Sequence, residues 1–226
     1  MKKFAFDEIY NFFTKEQRQE ILSKVIGLNQ HWRKLHDYPV YNDPSEDPDP
    51  CSKNQYLLGD SIYPIKSVEE INQDTQRILK SEFGDLIYNR LLNEIPKHFG
   101  LDIKGASFYD DLPIPGFHIF SGVQDESDPF PYHTDVSLAL WKKDIYQNRI
   151  YSFLSPIILP PQGGHLEWKQ PSGKESKIIY HYGSLHFWAG LVPHRIGSHA
   201  LKQGEMRITL QGHLYIDPDK NIKIYF

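Results

Sequence analysis

The sequence predicts an α+β protein in which a mainly helical N-terminal part precedes a jelly roll or a related double-sheet barrel. Two observations indicate this order. Apolar residues recur at helical spacing in the N-terminal part. From Phe117 onward the chain consists of short β-branched and aromatic runs that Pro and Gly interrupt. Because 226 residues suit one domain with a substantial core, we expect a single domain over 1–226, with a helical flank at about 1–104 and the barrel at about 105–226.

The N-terminal part contains two helix-start signals. Thr14 followed by Gln17 has the form of a capping box, and Ser67 with Glu70 repeats it. The second helical stretch has a break near Gly84. The apolar positions that follow the two boxes are Ile21, Leu22, Val25 and Ile26 in the first case and Ile71, Ile78, Leu79, Leu86, Ile87, Leu91 and Leu92 in the second. Both stretches are therefore predicted to be helices that pack on the outside of a sheet.

The segment 37–64 separates these helices and shows no periodicity. It contains five prolines among acidic residues. A long connection of this kind is either a cover over a functional site or a disordered link, and the sequence leaves both open. Cys51 lies here as the single cysteine, which excludes a disulfide within the chain.

The C-terminal part contains eight candidate strands with turn signals between them, which is typical of a jelly roll. They are Gly116–Ser121, Tyr132–Trp141, Ile150–Leu159, His165–Gln170, Lys177–Tyr182, Ser184–Trp188, His194–Gly197 and Met206–Ile216.

Composition narrows the classes of partner. A net charge of -4 and a pI near 6.2 provide no positive field for nucleic acid or anionic membranes. No apolar run approaches the roughly 20 residues that span a bilayer, and the N-terminus does not have the pattern of a secretory signal. We expect a cytoplasmic protein whose partner is a small molecule or a protein side chain.

The stretch 130–141 contains the first candidate site. If it is a strand, His133 and Asp135 lie on the same face together with the small residues Ser137 and Ala139. An imidazole and a carboxylate can hold a divalent metal if a third ligand joins them, and we place that ligand at His194. A His-x-Asp spacing occurs by chance on the order of once per chain, and the pair His165 and Glu167 is a rival of the same form.

A second candidate site follows at Arg207. If Met206–Ile216 is a strand, Arg207, Thr209 and Gln211 share one face. A buried arginine is costly unless it meets an anion, and its planar fork suits a carboxylate. An acidic cosubstrate would supply that anion.

The order His133-Thr134-Asp135, Gly163-Gly164-His165-Leu166, His194, Arg207-Ile208-Thr209 resembles the iron(II)- and 2-oxoglutarate-dependent dioxygenases, especially their prolyl-hydroxylase-like branch. The resemblance implies a double-stranded β-helix, which is a distorted, cupin-like jelly roll with flanking N-terminal helices. It also implies that the metal-binding and catalytic residues are His133, Asp135 and His194, and that O2 reacts at the bound iron. Arg207, helped by Thr209, would bind the distal carboxylate of 2-oxoglutarate. His118 either touches this cosubstrate or is a hydrogen-bonded strand histidine.

The expected reaction is hydroxylation of an unactivated C–H bond in an amino-acid-like small molecule, coupled to conversion of 2-oxoglutarate to succinate. Asp135 favours hydroxylation because related halogenases have Gly or Ala at that position. The gap from His194 to Arg207 is longer than in typical prolyl hydroxylases. Three alternatives remain: a hydroxylase of peptide or protein side chains, a non-catalytic jelly-roll binding protein, and a zinc-dependent hydrolase with the same ligands.

Overall fold

The computed structural model describes residues 6–35, 54–61, 70–100, 102–123, 130–170 and 172–226. Its helices are α1 (Lys15–Gly27), α2 (Gln73–Phe83), α3 (Asn89–Phe99) and α4 (Leu138–Trp141). Its strands are β1 (Phe6–Ile9), β2 (Arg33–Lys34), β3 (Gln55–Leu58), β4 (Gly105–Phe108), β5 (Gly116–Ser121), β6 (Ile150–Ile158), β7 (Leu166–Lys169), β8 (Glu175–Ile178), β9 (Leu185–Ala189), β10 (His194–Ile196), β11 (Met206–Ile216) and β12 (Asn221–Tyr225).

Two sheets make up the barrel. The larger one has the order β1-β9-β6-β11-β5-β3-β2, with β12 paired to one end of β11 and β4 paired to β12. The smaller one has the order β10-β7-β8. Neighbouring strands are antiparallel apart from β4 and β12. This arrangement confirms the predicted jelly roll of the double-stranded β-helix type.

The helical flank packs on the larger sheet, as predicted. In α1, Ile21 and Val25 are fully buried in the same apolar cluster as strand residues such as Phe153 and Phe187. Deep burial of such side chains stabilises the fold by about 1.5–3 kcal/mol each. The predicted capping box is present, since the Gln17 amide donates to Thr14 Oγ1 at 3.2 Å and the Thr14 amide donates to Gln17 Oε1 at 3.0 Å.

The second helical stretch begins later than predicted. Asn72 caps α2 by accepting from the Thr75 amide at 3.1 Å, whereas Ser67 lies outside the described residues. The predicted break near Gly84 is a π-helical turn, Gly84–Tyr88, which joins α2 to α3.

The prediction of a strand over 132–141 is wrong. This stretch forms only one isolated backbone bridge, between His133 and His194, and then turns into α4. Ser137 and Ala139 therefore do not continue a strand face with Asp135. The predicted strand at 177–182 is shifted toward the N-terminus in the structure, and β1–β4 and β12 were not predicted.

The segment 37–64, which the sequence left open as a cover or a disordered link, lies largely outside the described residues, as does Cys51. The part that is described contains β3, so the absence of regular structure there was wrongly predicted. No helix in the described part of the chain has the length and apolar character needed to cross a membrane.

Candidate metal centre

Three side chains from distant parts of the sequence meet at one point in the barrel. The Nε2 atom of His194 lies 3.1 Å from Asp135 Oδ2, and the Nε2 atom of His133 lies 3.8 Å from Asp135 Oδ1. One ligand atom from each residue lies within 4.8 Å of the others. Within the described ranges, this is the only group of three or more such side chains close enough to hold a metal ion.

Backbone hydrogen bonds bring these residues together. His133 and His194 exchange two bonds, with the amide of each donating to the carbonyl of the other at 3.0 Å. The Asp135 amide donates to the carbonyl of Gly190 at 2.8 Å. The chain is extended enough between positions 133 and 135 for both side chains to face the same side, although no strand forms.

Each histidine is oriented through its second ring nitrogen. The Nδ1 atoms lie 3.2 Å from the Pro131 carbonyl for His133 and 2.8 Å from the Val192 carbonyl for His194. A carbonyl oxygen only accepts, so each Nδ1 carries the proton and donates it. Both Nε2 atoms are then left with a lone pair in the neutral imidazoles, which is the form that binds metal.

The electrostatics suit a cation. Burial alone would raise the pKa of Asp135, but the facing histidines, chiefly His194, hold that pKa well below its usual range. Burial lowers the pKa of His194, yet the Asp135 carboxylate outweighs it and raises this pKa above the ordinary value. The carboxylate is therefore ionised throughout the neutral range, as a metal ligand must be.

Two residues without a predicted role lie beside the carboxylate. The Ser152 hydroxyl donates to Asp135 Oδ2 at 2.5 Å, and Ser152 Oγ lies 2.9 Å from His213 Nδ1. His213 continues the alternation of Arg207, Thr209 and Gln211 along β11, so the sequence contained a signal for it. Ser152 had no comparable signal.

A cavity of about 330 Å³ opens in front of the three side chains. It is lined by His118, Trp188 and Gln211 together with an apolar wall. The apolar wall includes Leu35, Leu57, Phe130, Leu154, Leu166 and Ile196. A volume of this order is typical of a small-molecule site.

Arg207 is fully buried on β11. Its Nε donates to the carbonyl of Gly164 at 3.0 Å and its Nη1 to Thr209 Oγ1 at 3.4 Å, whereas Nη2 has no hydrogen-bond partner among the described residues. Gly164 has a φ of +68°, and a Cβ there would lie 3.1 Å from Arg207 Cδ. A side chain at this position would be strained and would crowd the guanidinium.

Neutral groups surround this cation. Burial, assisted by Arg207, lowers the pKa of His118 to about 3, and burial raises the pKa of Tyr180 to about 12. His118 Nε2 makes no hydrogen bond within the described structure, and the Tyr180 hydroxyl lies beside the guanidinium and interacts with it. A buried guanidinium with neutral neighbours is suited to an anionic ligand.

The predicted anion-binding residues differ in their access to the cavity. His118 lines it, whereas Arg207 and Thr209 are fully buried and are not among its lining residues. Thr209 Oγ1 accepts hydrogen bonds from Arg207 and, at 2.9 Å, from Gln211 Nε2. Thr209 thus joins the arginine to Gln211, and of these three residues only Gln211 lines the cavity.

The rival pair at 165 and 167 belongs to an ion-pair cluster. Glu167 meets His165 Nε2 at 3.1 Å, Arg195 Nε at 2.9 Å and Lys177 Nζ at 3.4 Å. Arg195, the residue after His194 on β10, also lies 3.7 Å from Glu175 Oε2. Glu167 is already paired with the cations of Arg195 and Lys177.

A scan of protein-family models and a search of curated proteins give no match to this chain. Solved structures do resemble it. An oxidoreductase of the 2OG-Fe(II) oxygenase family from Burkholderia pseudomallei is 12% identical with a TM-score of 0.52, over 92% of this chain and 82% of that one. A prolyl hydroxylase from Trichoplax adhaerens, solved with a peptide fragment of the hypoxia inducible factor oxygen degradation domain, is 16% identical with a TM-score of 0.48, over 96% and 86% of the two chains. A Pseudomonas putida prolyl-4-hydroxylase is 12% identical with a TM-score of 0.46, over 92% and 90%. The similarity to the Burkholderia structure supports the fold.

Proposed function

We propose that this protein is a non-haem iron(II)- and 2-oxoglutarate-dependent dioxygenase that hydroxylates an unactivated C–H bond of an amino-acid-like small molecule. One observation supports this proposal above the others: a site with two imidazoles and one carboxylate lies in the same barrel as a buried arginine that has an unpaired Nη2. The first set suits Fe(II), and the second suits the carboxylate of 2-oxoglutarate.

The residues present fit both groups. His133, Asp135 and His194 would hold the iron through two Nε2 atoms and one carboxylate oxygen. When bound, iron(II), 2-oxoglutarate and O2 would supply the oxidising chemistry, in which 2-oxoglutarate loses CO2 and takes up one atom of O2 to become succinate, while the other atom enters the substrate C–H bond to give the alcohol. Arg207 would pair with the distal carboxylate of 2-oxoglutarate. That carboxylate would approach from the cavity side, past His118 and Gln211.

The protein would contribute orientation and exclusion of water. Gly164 and Thr209 fix the guanidinium plane, so little conformational freedom is lost when a carboxylate binds. The apolar wall keeps bulk water from the substrate side of the metal, which limits unproductive oxidation. The neutral state of His118 avoids a second positive charge beside Arg207 and leaves a ring nitrogen to hydrogen-bond the cosubstrate.

Two of the alternative functions are not favoured by the geometry. A non-catalytic barrel would be favoured if the histidines lay far apart or if Arg207 were neutralised by an internal acid. The histidines meet, and Arg207 forms no ion pair with a described acid; Glu205 instead accepts from the Lys202 amide at 2.9 Å. A zinc hydrolase would leave the buried arginine unexplained.

A hydroxylase of peptide side chains is the second candidate. The His133 side chain is 53% exposed, so the described structure leaves one edge of the metal site open to solvent. A peptide could present a side chain at that edge while its backbone stays outside. A cavity of about 330 Å³ supports a small molecule as the first choice.

The test is anaerobic addition of iron(II) and then 2-oxoglutarate to the metal-free protein. We expect a weak visible charge-transfer band that requires both components. Succinate release on admission of O2 is then measured over free amino acids and over short peptides that contain the same residues. Turnover of free amino acids alone supports the small-molecule proposal, and turnover of peptides alone supports the second candidate. Absence of both the band and 2-oxoglutarate-dependent iron binding would refute the dioxygenase proposal.

A further inference from the structure

Ser152 and His213 lie side by side next to the metal centre. They are register partners on the adjacent strands β6 and β11, and both line the cavity in front of Asp135. The ring of His213 lies against that of the buried Tyr225, with centroids 5.4 Å apart and planes at 33°. The imidazole is therefore held in place by packing as well as by hydrogen bonding.

The hydrogen-bond directions follow from the chemistry of the three groups. Ionised Asp135 can only accept, so the single hydroxyl hydrogen of Ser152 points to Oδ2 across 2.5 Å. The Ser152 oxygen must then accept from His213, 2.9 Å away, which places the imidazole proton on Nδ1. His213 Nδ1 itself is 4.0 Å from Oδ2, too far for a direct hydrogen bond. His213 thus acts on the carboxylate through Ser152.

The two oxygens of the Asp135 carboxylate have different contacts. Oδ2 accepts from the Ser152 hydroxyl and lies 3.1 Å from His194 Nε2, whereas Oδ1 lies 3.8 Å from His133 Nε2 and receives no hydrogen bond from a described residue. The bond to Ser152 restrains rotation of the carboxylate about its Cβ–Cγ bond, so each oxygen stays directed toward one of the two histidines. Hydrogen bonds to ligating carboxylates orient them in this way in metal sites generally.

We propose that Ser152 and His213 form a positioning relay, in the order His213, Ser152, Asp135, which sets the carboxylate for metal binding. This inference rests on the proposed metal site. Ser152 is the direct positioning residue, and His213 fixes the direction of the Ser152 hydroxyl. Neither is placed in contact with the metal.

The test measures binding of Co(II) alone to the metal-free protein, by calorimetry and by the visible Co(II) spectrum. Ser152→Ala is expected to weaken Co(II) binding by about 10- to 100-fold, the usual effect of removing a hydrogen bond to a metal ligand. Ser152→Thr keeps a hydroxyl and should restore most of the affinity. His213→Phe keeps a ring without a donor and should weaken binding by about tenfold, while His213→Asn, which keeps a donor, should weaken it less.

Ser155→Ala is the matched control. Ser155 lies on the same strand, is fully buried, and its Oγ has no hydrogen-bond partner within the described residues. This variant should bind Co(II) with the parent's affinity and spectrum. A purely structural role for Ser152 would lower the melting temperature without changing Co(II) affinity or the Co(II) spectrum.

Each outcome decides the proposal. Equal Co(II) affinity for the parent and Ser152→Ala would overturn the relay alone, and so would equal losses in Ser152→Ala and Ser155→Ala. If Ser152→Ala does not fold, His213→Phe decides, with unchanged affinity counting against the relay. Failure of the parent itself to bind Co(II) would overturn the proposed function and the relay together.

Discussion

Replacement of Arg207 by Met tests the proposed cosubstrate site most directly. Arg207 is fully buried, and two of its nitrogens are already used by Gly164 and Thr209. The two N–H groups of Nη2 remain for a ligand. Hydrogen bonds to charged groups are worth about 1.5–3 kcal/mol each, so loss of both should cost about 3–6 kcal/mol of 2-oxoglutarate binding. At about 1.4 kcal/mol per factor of ten, the dissociation constant should rise on the order of a hundredfold to ten-thousandfold.

The same substitution should not destabilise the ligand-free protein. A buried guanidinium without an acidic partner costs desolvation energy, and an apolar side chain of similar length removes that cost. We therefore expect the free energy of unfolding without ligand to stay unchanged or to rise. Addition of 2-oxoglutarate should raise the melting temperature of the parent but not of Arg207→Met, because the stabilisation follows the ratio of ligand concentration to dissociation constant.

The assay is calorimetric titration of 2-oxoglutarate into protein loaded with iron(II) under anaerobic conditions, with denaturant unfolding in parallel. Arg18→Met is the control, because Arg18 lies on α1, stacks on Tyr182 at 4.6 Å and donates to the Ile157 carbonyl. It should leave 2-oxoglutarate affinity unchanged. Unaltered affinity in Arg207→Met would refute the assignment. A loss of several kcal/mol of ligand-free stability would show that the guanidinium is already neutralised.

Three further predictions concern single side chains. Asp135→Ala should abolish Co(II) binding and hydroxylation because it removes one of the three metal ligands. The control Asp74→Ala changes a side chain that is 81% exposed and should alter neither property. Metal binding by Asp135→Ala, measured by calorimetry, would contradict the ligand set. Gly164→Ala should lower the free energy of unfolding in urea by about 1–2 kcal/mol, because the backbone at Gly164 is left-handed. It should also weaken the binding of 2-oxoglutarate. The control is Gly173→Ala, where φ is +83° and no atom lies within 4 Å of the added Cβ. It should lose similar stability but keep its affinity for 2-oxoglutarate. Equal 2-oxoglutarate affinities in the two variants would show that Gly164 does not hold Arg207. Asp60→Ala should lower the free energy of unfolding in urea by about 3 kcal/mol. The buried Asp60 carboxylate pairs with Arg33 Nη1 at 2.6 Å and accepts a hydrogen bond from the Asn72 amide at 2.8 Å. A loss below about 1 kcal/mol would contradict this role.

The metal ligands and part of the cavity wall come from different parts of the chain. The histidines and Asp135 are fixed by backbone hydrogen bonds that join the 130–137 stretch to β10 and to Gly190, the residue after β9. The cavity wall also includes Leu35 and Leu57, of which Leu57 lies on β3 of the larger sheet. The cavity is therefore lined in part by residues from the N-terminal half of the chain.

The features predicted correctly are those that depend mainly on residues close together in the sequence. The capping box of Thr14 and Gln17 involves residues three apart, and it is present. The bounds of β5 and β11 also match their predictions, because alternating apolar residues bounded by turn signals identify a strand that is buried on at least one face.

The secondary-structure predictions that were wrong mostly concern segments whose structure depends on contacts with distant residues. The stretch 132–141 has the alternation of a strand, but its partner β10 is only three residues long, and it turns into α4. Strand β12 has a local signal that was missed, since Ile222 and Ile224 alternate along it and are buried. Strand β1 was not predicted because it has four residues and becomes a strand by pairing with the distant β9. Pairing energy of this kind depends on the neighbour and cannot be seen in a local window.

By itself the sequence determined the fold class, the alternation of Arg207 and Thr209 along one strand, and the choice of His133, Asp135 and His194 as candidate ligands. Only the tertiary structure decided that these three lie within 4.8 Å of one another, that Ser152 contacts the carboxylate and His213 contacts Ser152, and that Arg207 keeps an unpaired nitrogen. The physical reason is that side-chain type and spacing set which chemistry is available, whereas distance, burial and hydrogen-bond partners arise from contacts between residues far apart in the chain.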